Sequence, residues 1–201
     1  LKNKYIVFQF KSWEGKHPIG TITQTIGDVD KLDTFYEYQL YCKSLYASIQ
    51  NINKKVMRSL KQKTSDEYIE FILKQHDLKD YRNNRNIFSI DPVNSKDFDD
   101  AFDIEKIGAG FRISVYISNV SFWMDAMDLW DSFSNRISTI YLPDRKRPML
   151  PTILSDALCS LSQEDIRFSL ELSIIIEDGV IKDYTFNNCV KTMIEPLKSQ
   201  L

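Results

Sequence analysis

The chain has 201 residues, 43% apolar, 12% aromatic and 27% charged, enough for a folded domain with its own core and outside the range of a peptide, a disulfide knot or a disordered tail. Its three cysteines, Cys42, Cys159 and Cys189, match neither a zinc pattern nor a secreted framework, no signal peptide opens the sequence, and no apolar stretch reaches the ~20 residues of a membrane helix; an intracellular, reducing setting without a membrane partner is expected. The net charge of −2 hides +5 over residues 1–89 (15 Lys and Arg against 10 Asp and Glu) and −7 over residues 90–201 (11 against 18), which argues against a uniform basic coat for nucleic acid but leaves room for a local basic surface in the first part.

Residues 5–10 (YIVFQF) and 19–26 (IGTITQTI) are rich in β-branched and aromatic side chains, with Pro18 and Gly20 punctuating the connection, and read as two strands. Residues 1–29 cannot close a core of their own, so they are expected to finish a barrel begun upstream of Leu1; the chain reads as an excerpt of a longer polypeptide. Residues 30–80 are read as a linker, with a short helix around 41–49 and a better one at 65–76. There Thr64 and Glu67 make a capping-box pair, and Tyr68, Ile69, Ile72 and Leu73 follow at helical spacing. Further on, Phe111, Ile113, Val115 and Ile117 alternate with Arg112, Ser114, Tyr116 and Ser118, the pattern of a half-buried strand. A second alternation, from Phe168 to Ile176, runs into Asp178-Gly179 and a return strand over residues 180–186, which predicts a β-hairpin. The fold class is mixed α and β.

The chemistry concentrates in Asp91-Pro-Val-Asn-Ser-Lys-Asp97-Phe-Asp99-Asp100, four carboxylates directly after the apolar run 87–90. Two carboxylates ~4 Å apart repel by roughly 4 kcal/mol at an effective dielectric of 20, and the lone Lys96 cannot neutralise four. If they converge, a divalent cation is the natural compensation, and an all-aspartate donor set suits Mg²⁺ or, alternatively, Mn²⁺. The bland alternative is a solvated acidic loop. Against it, Asp91 ends an apolar strand, and Phe98, Ala101 and Phe102 interleave the acids as if packed on a core. An EF-hand reading fails, because its sixth position is Phe102 rather than Gly and its twelfth is Gly108 rather than Glu. His17 and His76 are the only histidines, and there is no phosphate loop and no Ser-His-Asp ordering; metal-assisted hydrolysis of a phosphodiester is the chemistry left.

Five blocks in order, Ser89-Ile-Asp-Pro…Ser95-Lys-Asp-Phe-Asp-Asp-Ala101, Ile117-Ser-Asn-Val-Ser121, Arg136-Ile-Ser-Thr-Ile-Tyr-Leu-Pro143, Pro148-Met-Leu-Pro151 and Leu154-Ser-Asp-Ala-Leu-Cys-Ser-Leu161, resemble the opening of the RNB catalytic domain of the ribonuclease II and ribonuclease R family. Lys11-Ser-Trp-Glu, Pro18-Ile-Gly-Thr and Ile26-Gly-Asp28 are similar to the end of the cold-shock, OB-type barrel that precedes it. The resemblance implies three parts: residues 1–29 as the end of an OB-type RNA-binding barrel, 30–80 as a linker, and 81–201 as the N-terminal part of a mixed α/β RNB domain. It also implies a 3′-to-5′ hydrolytic exoribonuclease that degrades single-stranded RNA to nucleoside 5′-monophosphates with Mg²⁺, in some cases within an RNA-decay complex. Carried over by position, Asp91, Asp97, Asp99 and Asp100 would be the catalytic and metal-binding acids, and Tyr141 a stacking platform for the last nucleotide. Arg145, Lys146 and Arg147 form the densest basic patch of the acidic part; Arg145 and Arg147 are read as phosphate contacts, with a solvated loop as the alternative. The family usually has an acid where Asn119 stands and often a histidine where Tyr116 stands. Its catalytic arginine, further RNA-clamping aromatics and S1 domain lie beyond the matched part, so the excerpt alone is not expected to be a competent nuclease. Two rivals stay open: a non-catalytic RNA-binding scaffold that keeps the fold, and a calcium-responsive regulatory domain.

Overall fold

The computed structural model describes residues 2–45, 49–92, 95, 98–133, 138–163, 165–192 and the backbone of 197–198. Strands β1 (Lys4–Ser12) and β2 (Ile19–Asp28) come first, followed by helices α1 (Leu32–Cys42), α2 (Gln50–Gln62) and α3 (Ser65–Gln75). Short strands β3 (Lys79–Asp80) and β4 (Ile90–Asp91) lead to the long β5 (Asp100–Ile107) and β6 (Gly110–Ser118), then helix α4 (Ser121–Ala126). Next are the two-residue strands β7 (Ile140–Tyr141) and β8 (Lys146–Arg147), a π-helical turn at Ile153–Cys159, the long strands β9 (Arg167–Glu177) and β10 (Val180–Lys191), and β11 (Leu197–Lys198). No helix among the described residues is long and apolar enough to cross a membrane. The contacts divide the chain into two compact units, Leu1–Ser48 with Ser134–Met149, and Ile49–Phe133 with Leu150–Leu201.

In the first unit, β1 and β2 form an antiparallel pair, as expected from their β-branched runs. Among the described residues they pair only with each other, leaving Phe8, Phe10 and Ile22 exposed, so the structure contains a two-stranded sheet and not a closed barrel. The chain turns from β2 into α1 at Gly27, whose φ of 150° and a Cβ position only 2.8 Å from Thr34 Oγ1 both favour glycine. Tyr5 of β1 stacks on Tyr38 of α1, ring centroids 4.2 Å apart and 11° from parallel.

The stretch read as a linker with two helices holds three, α1, α2 and α3. Its weak spot was composition: α2 buries only Ile52 and Val56, one turn apart, within a run of Lys, Asn, Arg and Gln, so a valid i, i+4 stripe was swamped by polar neighbours. Residues 43–45 form no helix, and 46–48 lie outside the described residues. The helix expected at 65–76 is α3, and its start is a complete capping box: the Thr64 hydroxyl accepts from Glu67 N–H while Thr64 N–H donates to the Glu67 carboxylate at 2.7 Å.

The second unit is built on a five-stranded sheet of order β3-β10-β9-β6-β5, in which only the β3–β10 pairing is parallel. The predicted hairpin joins β9 to β10 through Asp178 and Gly179, both at positive φ (52° and 72°), the twist that an Asp-Gly pair supplies. A second tight connection at Gly108 (φ 53°) joins β5 to β6.

The alternation along β6 is as expected, but the buried face is the opposite one. Ser114 and Tyr116 are buried, whereas Phe111 and Ile117 are about half exposed. The register aligns Phe111, Ile113, Val115 and Ile117 with Ile176, Ile174, Leu172 and Leu170 of β9, and Tyr184 and Phe186 of β10 extend that apolar face. Phe168 at its end is covered by Phe122 and Trp123 of α4. The polar face is closed by the segment after β3. Tyr81 donates to Glu171 Oε2 at 2.8 Å, Asn187 Nδ2 donates to the same oxygen at 3.0 Å, and Arg85 pairs with Asp103 at 2.9 Å. These partners are why a fully buried glutamate, Glu171, is tolerated there. Alternation alone cannot say which face is covered; the ion pairs decided it.

Gly110 marks the closest backbone approach in this sheet, because a Cβ there would lie 2.1 Å from the Ile176 carbonyl oxygen. Gly110→Ala should therefore cost ~1–3 kcal/mol in denaturant unfolding, while Gly15→Ala, with open space around it, should change little. Equal midpoints for the two variants would contradict this close packing.

Lys191 at the end of β10 is fully buried, its ammonium 4.7 Å from the Tyr116 ring centroid, and burial pushes its pKa down to about 7 from 10.5. Between those values the unfolded chain holds a proton that the folded chain lacks, so stability should rise with pH by up to ~1.4 kcal/mol per unit. Above about pH 9 the Cys189 thiol, raised to about 11 by burial, acts in the opposite direction. Melting curves from pH 7 to 9 should show this rise in the wild type and a flatter profile in Lys191→Met; identical profiles would contradict it.

Candidate metal centre

The acidic run is positioned by backbone bonds to distant segments. Phe88 and Phe102 exchange a pair of N–H···O bonds (2.9 and 2.7 Å), so the chain leaving residue 88 runs antiparallel to the chain entering residue 102. That pairing directs Asp91 and the Asp99–Asp100 pair toward the same end of the two strands. Phe98 N–H donates to Ser160 Oγ at 3.1 Å, and its carbonyl accepts from Leu161 N–H at 2.8 Å. The Asp99 carbonyl accepts from Ser118 N–H at 2.9 Å, and Asp100 opens β5 opposite Ile117. The Phe98 side chain packs against a buried cluster of Ile87, Ala101, Tyr116, Leu161 and Cys189, as its place between the acids suggested.

The support behind these bonds is itself held. Ser118 Oγ donates to the Cys159 carbonyl at 2.6 Å, and buried Arg167 caps the end of the π-helical turn, Nε to the Ser160 carbonyl at 2.6 Å and Nη2 to the Ala157 carbonyl at 2.8 Å. The block 154–161 thus supports the acidic segment through its backbone and Ser160. Asn119, where the family usually has an acid, takes a cap-like role: its Oδ1 accepts from Ser121 N–H at 3.2 Å at the start of α4. Tyr116, where a histidine is common, is buried beneath Lys191 with its hydroxyl toward Glu171, and burial raises its pKa.

Asp99 is exposed, while Asp91 and Asp100 are half-buried. Asp97 lies outside the described residues, and so do residues 134–137, which open the Arg136 block. Among the described residues, no three His, Cys, Asp or Glu side chains lie close enough to hold a metal ion. The run therefore brings three carboxylates to one end of a strand pair without showing a finished ligand set. One observation fits a hard cation: Asp91 Oδ2 is buried and has no hydrogen-bond partner among the described residues, although a buried carboxylate oxygen is costly to leave unmatched.

The other predicted site residues fall in the first unit. Tyr141 is 77% exposed. Arg145 pairs with Glu37 at 3.2 Å and Asp144 at 3.8 Å but remains largely exposed, whereas Arg147 is 7% exposed and saturated by Glu37 and Asp144. Of the three tryptophans, Trp123 is core, and Trp13 and Trp130 are more than half exposed. Residue-type reasoning missed Ser118, Ser160 and Leu161, which act largely through backbone atoms, and Glu37, which lies 110 positions from Arg147.

The profile of the RNB domain matches residues 75–195. The chain is 36% identical over 118 residues to a ribonuclease R from Ureaplasma parvum, covering 56% of this chain and 16% of that protein. It is also 36% identical over 100 residues to an exoribonuclease 2 from Aeromonas hydrophila, covering 49% of this chain and 15% of that protein. It thus spans about a sixth of the length of these curated relatives. Among solved structures, Mycoplasma genitalium RNase R in complex with double-stranded RNA matches with a TM-score of 0.73 at 22% identity, over 98% of this chain and 34% of that one. Yeast Ssd1, described as a pseudonuclease, matches with a TM-score of 0.59 at 17% identity, over 97% of this chain and 25% of that one. These structural likenesses establish a mixed α/β fold like that part of RNase R. The family profile covers more than half of the sequence, and the chain belongs to the RNB domain family.

Proposed function

We propose that the protein containing this chain is a 3′-to-5′ exoribonuclease that hydrolyses single-stranded RNA to nucleoside 5′-monophosphates. The observation that carries this reading is the anchored acidic segment: Phe98 and Asp99 are tied to Ser160, Leu161 and Ser118 at the family's aspartate block. Crowded carboxylates repel, so their approach must be imposed by something other than the carboxylates, and backbone hydrogen bonds to a packed core do this without consuming the side-chain oxygens. Asp91, Asp97, Asp99 and Asp100 would hold Mg²⁺, or Mn²⁺ in its place. The bound ion would supply an acidified water and neutralise charge on the phosphodiester. The chain's own task is placement: β4 and β5 present the acids, and the half-buried setting of Asp91 and Asp100 limits how far their carboxylates can swing apart. The exposed ring of Tyr141 is suited to stack on a terminal base, and Arg145 and Lys146 remain exposed for phosphate. An RNA-decay complex as partner and an intracellular location belong to this same proposal.

A second reading, an inactive RNA-binding scaffold, is favoured by the fold shared with a pseudonuclease. The presence of all four aspartates weighs against it. Full-length protein incubated with Mg²⁺ and 5′-labelled oligo(A) should produce a ladder of progressively shorter labelled species. Asp99→Asn should slow it by roughly 100-fold or more, the scale seen when a group that stabilises transition-state charge is removed. A wild type that binds the RNA and leaves it intact would favour the scaffold.

A further inference from the structure

The basic patch 145–147 divides into two kinds of residue. Lys146 and Arg145 face solvent, but Arg147 is buried, and its guanidinium makes five hydrogen bonds. Nε and Nη2 donate to Glu37 Oε1 at 3.1 and 2.7 Å, Nη1 and Nη2 donate to the two Asp144 oxygens at 2.6 and 2.8 Å, and Nη1 also donates to the Arg145 carbonyl at 2.9 Å. An arginine has five N–H donors, so this arrangement leaves none for a phosphate, and two carboxylates already outweigh its single charge.

What those bonds fasten is a hairpin that cannot hold itself. β7 and β8 have two residues each, paired Ile140 with Arg147 and Tyr141 with Lys146, far below what stabilises an isolated hairpin. In sequence the hairpin lies within the RNB match at 75–195, yet in space it clusters with residues 1–48. Glu37 of α1 is the residue of that earlier segment to which Arg147 is paired, and Tyr141 projects from the hairpin at 77% exposure. Asp144 is drawn into the same clasp, its pKa held low by the hydrogen bonds from Arg147.

We propose that Arg147 is a positioning residue, whose buried clasp to Glu37 and Asp144 docks the β7–β8 hairpin on α1 and so sets Tyr141 as the platform for the 3′-terminal nucleotide. This rests on the reading of Tyr141 given above. It makes handling of the RNA end depend on Glu37, a residue of the N-terminal segment that acts through Arg147.

The test uses the full-length protein and a short RNA ending in 2-aminopurine, with binding followed in EDTA and turnover in Mg²⁺. Tyr141→Ala should reduce the quenching of the terminal base and raise KM about 10-fold, the scale of one lost base stack. Arg147→Met should reproduce most of both effects with kcat nearly unchanged, Arg147→Lys should recover part, and the Arg147→Met/Tyr141→Ala double variant should be no worse than Tyr141→Ala. The salt dependence of binding should be unaltered in Arg147→Met and shallower in a Lys146→Gln control, because only the latter removes a phosphate contact. If Arg147→Met does not fold, Glu37→Gln carries the same comparison. Undiminished quenching in Arg147→Met and Glu37→Gln, additive losses in the double variant, or a shallower salt slope in Arg147→Met would each overturn the proposal. A protein that binds and quenches but does not shorten RNA defeats the nuclease reading alone, whereas Tyr141→Ala without effect defeats this one.

Discussion

Crowded carboxylates cannot gather themselves, and the acidic segment of this chain is held under that constraint by bonds from elsewhere in the fold. The restoring force comes from main-chain bonds at Phe98 and Asp99, which lock the acidic segment to Ser160, Leu161 and Ser118 through backbone atoms rather than carboxylates. Each of those partners is fixed in turn: Ser118 at the end of β6, and Ser160 and Leu161 behind a π-helical turn whose end is capped by Arg167. Rigidity is passed along a chain of hydrogen bonds rather than generated at the site.

The same economy explains the inverted sheet. The face carrying Ser114, Tyr116, Glu171 and Cys189 is covered by Tyr81, Arg85, Ile87 and Phe98, from the segment that leads to the acidic run, so the polar face is buried where that approach route crosses it. The opposite face leaves Phe111, Ile117, Leu170 and Phe186 exposed, and α4 packs on it at Phe168. Lys191, the last residue of β10, is a fully buried cation with its ammonium over the Tyr116 ring, and Asp100 is among the groups whose field acts on it.

Much of this was legible in the residues. Thr64 and Glu67 announced α3 because a capping box is a local device, and Asp178-Gly179 announced the β9–β10 turn because few other pairs accept two positive φ values. The aspartate block stood out because four acids in ten residues need a reason. What stayed hidden was long-range. α2 looked like linker until Ile52 and Val56 found a core, the buried face of β6 depended on Arg85 and Tyr81 arriving from elsewhere, and Arg147 looked like a phosphate ligand because its partner Glu37 is remote in sequence. The order of residues records which groups are present; which of them are already spent on one another is a property of the folded chain.

The most direct measurement is anomalous scattering from crystals of the full-length protein grown with Mn²⁺. The expected result is an ion bonded to carboxylate oxygens of Asp91, Asp97, Asp99 and Asp100 at ~2.0–2.2 Å. Density showing these side chains turned away from one another, with manganese absent or bound elsewhere, would contradict the claim that the anchored acidic segment is a metal centre.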